Sequence, residues 1–104
     1  MIHNQIVKTL EDRLRDSGKY DKLRSCTEYR VHGVFGECDL MALRGYSALI
    51  FEVKGRDKPK YRKKAYRQLS KDYDWVMDQH RYIERIFKFY VYARGSKINI
   101  ERVN

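Results

Sequence analysis

The stretch Ala48-Leu49-Ile50-Phe51-Glu52-Val53-Lys54 decides the fold, because five of its seven residues are apolar and nothing polar relieves it before Glu52. A strand apolar on both sides of its pleat belongs at the centre of a sheet whose two faces are covered. Glu52 and Lys54 interrupt that run. Strand side chains alternate, so these two project to one face while Val53 between them turns to the other.

Working outward, Arg44-Gly45-Tyr46-Ser47 reads as a turn, and Glu37 to Leu43 before it as a strand. In that strand Cys38, Leu40 and Ala42 point one way and Glu37, Asp39 and Met41 the other. A weakly alternating strand covers Lys22 to Val31, and Gly33 and Gly36 are expected to bracket the intervening turn. Upstream, Ile6, Val7, Leu10 and Leu14 recur at helical spacing between Asn4 and Asp16, with Gly18 as the stop. Downstream, Gly55 to Pro59 breaks the strand. Tyr61, Ala65, Leu69, Tyr73, Val76 or Met77, and His80 then form the stripe of a long amphipathic helix. Arg85 to Tyr92 is a β-rich run, and Arg94-Gly95-Ser96 turns it into a short edge strand from Lys97 to Val103. The predicted order is α-β-β-β-α-β-β, an α/β (α+β) chain forming a single domain over residues 1–104.

The 104 residues carry 23 Lys and Arg against 14 Asp and Glu, a net charge of +9. A hydrophobic fraction of 42% argues against intrinsic disorder even with 36% charged residues. No apolar run approaches the roughly 20 residues of a bilayer span, and Met1-Ile2-His3-Asn4 lacks a signal-like apolar segment, so an intracellular, cytoplasmic protein is expected. Cys26 and Cys38 are too few for a disulfide scaffold and lack zinc-like spacing.

Nearly all of the charge sits between Lys54 and Lys71. There Lys54, Arg56, Lys58, Lys60, Arg62, Lys63, Lys64, Arg67 and Lys71 face only Asp57, a local charge of +8. Like charges one turn apart repel. Such a cluster suits an external polyanion, and neutralising phosphates with release of counterions rewards it. Nucleic acid is therefore the expected partner, ahead of a membrane surface or an acidic protein.

If the strands on either side of the Arg44 to Ser47 turn pair, Asp39 lies across from Glu52 and Lys54. One reading is a partly buried Glu52–Lys54 salt bridge with Asp39 as a turn residue. The other is a cation site, in which Asp39, Glu52 and the Val53 carbonyl supply the oxygens that a hard divalent ion takes. Magnesium, or manganese, is the natural candidate. Such an ion can polarise a phosphodiester while Lys54 steadies the charge of the transition state.

Gly36-Glu37-Cys38-Asp39-Leu40-Met41-Ala42 followed by Ile50-Phe51-Glu52-Val53-Lys54 resembles the PD-(D/E)XK nuclease superfamily, through its Asp…Glu-x-Lys core. Cys38 stands where the family nominally has proline. The resemblance covers nearly the whole chain. It implies a restriction-endonuclease-like core with a central mixed sheet flanked by helices, and a metal-dependent DNA endonuclease with Asp39 and Glu52 as ligands and Lys54 as the catalytic lysine. Several members place an acid on the first helix, for which Glu11 is the candidate. Gln68 resembles a glutamine of the RecB-like branch, and Glu37 shares the Asp39 face. The size and basic flank are closest to Holliday-junction resolvases, which implies a homodimer acting on branched DNA. A nuclease acting on DNA ends or flaps, and a non-catalytic nucleic-acid-binding module, are the alternatives. No small-molecule cofactor is implied.

Overall fold

The computed structural model describes residues 1–104 as α1 (His3–Asp16), β1 (Lys22–Val31), β2 (Val34–Arg44), β3 (Ser47–Lys54), α2 (Pro59–Gln79), β4 (Arg85–Arg94) and β5 (Lys97–Arg102). The five strands form one mixed sheet in the order β1-β2-β3-β4-β5. Neighbours are antiparallel except β3 and β4, which are parallel because α2 carries the chain back across the sheet between them. The apolar strand β3 is central, as its composition demands.

The two helices cover opposite faces. On one, Ile6, Val7 and Leu10 of α1 pack with Leu40, Phe51, Val53, Val91 and Ala93. On the other, Leu69, Trp75 and Val76 of α2 pack with Met41, Leu43, Ala48, Ile50 and Ile86. Phe51 and Ile50 thus serve different cores from adjacent positions. No helix is long and apolar enough to cross a membrane.

Three local readings are corrected. The β1–β2 turn is tighter than expected: His32 (φ 50°) and Gly33 (φ 78°) alone make it, as a two-residue hairpin with left-handed central residues requires. Gly36 is a strand residue opposite Tyr29, and a Cβ there would lie 2.5 Å from the Tyr29 ring. The buried stripe of α2 runs through Ala65, Leu69, Asp72, Trp75 and Val76, leaving Tyr73 and Met77 exposed. An aspartate replaces the aromatic at the centre of that face, and the reason lies in the site. The run from Arg85 to Tyr92 is an interior strand, with Tyr90 and Val91 fully buried.

Candidate active site

Ladder pairing between β2 and β3 runs from Arg44↔Ser47 to Leu40↔Phe51 and stops there, one residue short of Asp39 and Glu52. Asp39 fills the gap with its side chain. Its Oδ2 accepts the Val53 N–H at 2.8 Å, and its own N–H donates to Glu52 Oε1 at 3.4 Å. On the other flank the β1–β2 pairing skips Cys26, whose φ is 48°. The sheet is therefore opened on both sides of Asp39. Within a strand the N–H and C=O of one residue point to the same edge, so the Val53 carbonyl also faces the gap.

The opening disturbs alternation in β2. Cys38 packs in the α2-side cluster with Met41 and Leu43, rather than with Leu40 as strict alternation predicts. The expected grouping of Cys38 with Leu40 and Ala42 fails at this point.

Glu52 and Asp39 are 3% and 6% exposed, and Asp72 of α2 is wholly buried beside them. The Glu52 carboxyl lies against the carboxyls of both Asp72 and Asp39, and its Oε1 accepts the Asp39 N–H. Burial, then the adjoining Asp72 carboxyl and the charge of Asp39, push Glu52 far above the ordinary carboxylate range. Asp72 is raised as well, by burial first and by the charge of Asp39, against the adjoining Glu52 carboxyl and the hydrogen bonds from Tyr29 and Gln68. Asp39 goes the other way: burial opposes its ionisation, but the bond from His3, the adjoining Glu52 carboxyl and the Val53 amide hold it below the usual range.

His3 reaches Asp39 from the first turn of α1, with Nε2 3.1 Å from Oδ1. That turn is set by Gln5, whose Oε1 accepts the Ile2 N–H at 3.0 Å where the chain enters the helix. The bond to Asp39 is the main cause that raises His3 to about 8, against the lowering effect of burial. Lys54 has no carboxylate within ion-pair distance, so the expected alternative of a Glu52–Lys54 salt bridge is absent.

A cleft of about 320 Å³ is lined by His3, Glu37, Asp39, Glu52, Lys54, Lys64 and Gln68, with no apolar residue among them. It shares His3, Lys54 and Lys64 with a second groove of about 610 Å³, whose further lining includes Arg56, Lys60, Tyr61 and Arg67. An acidic pocket thus opens directly into a cationic channel.

Of the residues singled out from sequence, Asp39, Glu52, Lys54, Glu37 and Gln68 converge on the cleft. Gln68 is held there by Glu37: its Nε2 donates to the Glu37 carbonyl at 2.5 Å and to Asp72 Oδ1 at 3.2 Å. Val53 lines the adjoining groove, with Arg56, Lys60, Lys64 and Arg67. Glu11 does not reach either cavity; it lies two turns further along α1, 3.7 Å from Arg15. The basic residues separate likewise. Arg62 is consumed by Glu101 at 2.6 Å and Asp57 at 2.9 Å, which ties α2 to β5. Lys71 lies beside Val31, His32 and Val34 at the hairpin tip, Lys58 lies over the Tyr61 ring, and Lys63 is exposed outside both cavities.

Sequence reasoning missed His3, Asp72 and Tyr29. Asp72 carried a signal, since it falls three residues after Leu69 and four before Val76 on the buried stripe. His3, ahead of the first apolar position of α1, carried none. No protein-family model matches the chain, and none of the curated proteins is a recognisable relative.

Proposed function

We propose that the chain is a divalent-metal-dependent nuclease of the PD-(D/E)XK kind, hydrolysing phosphodiester bonds in branched or otherwise structured DNA. The observation that carries this reading is the junction of two surfaces. Three buried acids, served by one histidine and no Lys or Arg ion pair, meet an unpaired lysine where a cationic groove begins.

The residues fit a hard divalent ion. Asp39, Glu52 and the Val53 carbonyl, all directed at the gap between β2 and β3, would hold magnesium or manganese. When bound, the ion would supply Lewis-acid polarisation of the phosphate. Burying like-charged acids without cations costs several kcal/mol, a cost that a bound cation would offset.

The protein's own part follows from placement. Arg56, Lys60, Lys64 and Arg67 hold the phosphate backbone along the groove, orienting one phosphodiester over the acids. Lys54, free of carboxylate partners, stabilises the negative charge that grows on phosphorus-bound oxygens as water adds and the ester bond breaks. Contacts made to phosphates favour recognition of DNA shape over base sequence. A homodimer would offer two such clefts to a branched duplex, and Leu49, Phe87, Phe89 and Ile98, half-buried on the α1 side, are the apolar surface available to it.

The test offers four-way junction, flap, single strand and linear duplex to the protein with magnesium, manganese or EDTA. Metal-dependent cleavage of the junction above the linear duplex is expected. Cleavage confined to flaps or ends would move the protein to the end-processing alternative, and binding without cleavage on any substrate would leave only a nucleic-acid-binding module.

A further inference from the structure

We infer that Cys38, Glu52 and Asp72 form a second cation site, buried between the sheet and α2, for a thiophilic divalent metal of the zinc class. The three side chains come from β2, β3 and α2, and their donor atoms lie within 4.8 Å of one another. All are buried: Cys38 and Asp72 are 0% exposed and Glu52 3%. The set shares only Glu52 with the arrangement at Asp39 and Val53, and it does not depend on the protein being a nuclease.

A separate observation points to a ligand. Asp72 Oδ1 is satisfied by the Tyr29 hydroxyl at 2.5 Å and Gln68 Nε2 at 3.2 Å. Its Oδ2 is fully buried and receives no N–H or hydroxyl donor; only the Glu52 carboxyl adjoins it. Buried polar atoms are nearly always paired, and leaving one unpaired costs about 1–3 kcal/mol. No lysine or arginine is within ion-pair distance of Asp72 or Glu52. A cation would satisfy this oxygen and neutralise the two acids together.

The sulfur selects the metal. Magnesium and calcium take oxygen ligands, whereas a thiolate beside two carboxylates suits zinc and its surrogates cobalt and cadmium. Donors on one tetrahedral zinc stand about 3.5 Å apart, so side-chain shifts of about 1 Å close this set around an ion. On binding, the Cys38 thiol proton leaves to solvent, and the thiol gives up its 3.4 Å contact with the Leu40 carbonyl. The bound ion would staple α2 to β2 and β3, so its signature is added stability.

The chain has two cysteines, and Cys26 is exposed, which makes the assignment of sulfur direct. In full-length Cys26→Ser protein, Cys38 is the sole thiol. Cadmium should produce a thiolate-to-metal charge-transfer band that saturates at one equivalent, zinc should displace it, and zinc should raise Tm. Cys38→Ser should lose both the band and the Tm shift, and Asp72→Asn should weaken cadmium binding by at least about tenfold, the smallest loss that removing even an outer partner brings. Absence of the band in Cys26→Ser protein, or a Tm that zinc does not move, overturns the proposal even if the other two variants fail to fold. Because DNA cleavage with magnesium is not read, the outcome is independent of the nuclease proposal.

Discussion

The hydroxyl of Tyr29 donates to Oδ1 of Asp72 at 2.5 Å, across 43 residues of sequence and wholly inside the protein. The Tyr29 ring is held by Trp75, stacked at 4.8 Å and 4°, and it lies over Gly36, which has no side chain to obstruct it. Through Asp72 this aromatic pair sets the position of Glu52, so the acidic site is anchored from beneath by the α2-side core.

Gly36→Ala should therefore disturb both core and site. The added methyl meets the Tyr29 ring at 2.5 Å, and overpacking of this kind costs about 1–3 kcal/mol. Urea unfolding of variant and wild type checks it. A Gly36→Ala protein as stable as wild type would mean that the ring moves aside freely.

Glu52→Gln should separate stability from activity. Burial and the adjoining acids Asp72 and Asp39 disfavour a charge on Glu52, so an isosteric amide keeps the size while removing that unfavourable charge. The metal-free variant should match or exceed wild-type stability and lose metal-dependent cleavage. A loss of more than about 2 kcal/mol would show instead that Glu52 is a structural keystone, as breaking a buried pair is costly.

The basic segment should divide into two classes. Ala at Lys60, Lys64 or Arg67 should weaken DNA binding, each lowering the salt dependence by about one counterion. Ala at Lys71, which lies at the hairpin tip, should leave the slope unchanged. Fluorescence anisotropy against salt concentration measures both, and equal effects at all four positions would contradict the groove.

Arg62 should act on acid stability. Hydrogen bonds from Arg62 are the main reason Asp57 and Glu101 sit below the ordinary carboxylate range. Depressed carboxylates add stability above their unfolded pKa values of about 4, and that stability is lost as pH falls through the folded values. The gap in urea midpoint between wild type and Arg62→Met should be full at pH 6 and close below about pH 4. A gap unchanged by acid would place the role of Arg62 in packing over Tyr90, where its guanidinium lies 4.7 Å from the ring centre.

Much of this was legible in sequence because periodicity is a local property. The apolar run 48–54 marked the central strand, and the α1 and α2 stripes marked the helices on either face. What escaped depended on distant partners. Gly36 looks like a turn residue until Tyr29 is placed on it, and Cys38 leaves its expected face because Asp39 pulls the strand open. Counting charge could not see that Glu101 takes Arg62 out of the cationic surface. Asp72 stood in plain view on the buried stripe, but its meaning required Glu52 opposite.

The most direct test is Lys54→Ala, assayed for cleavage of a four-way junction in manganese and for binding to the same junction in calcium. Loss of a transition-state charge stabiliser should slow cleavage by about 10²–10³-fold, while binding falls by no more than one phosphate contact. Cleavage at the wild-type rate by Lys54→Ala, or by wild type in EDTA, would contradict the account.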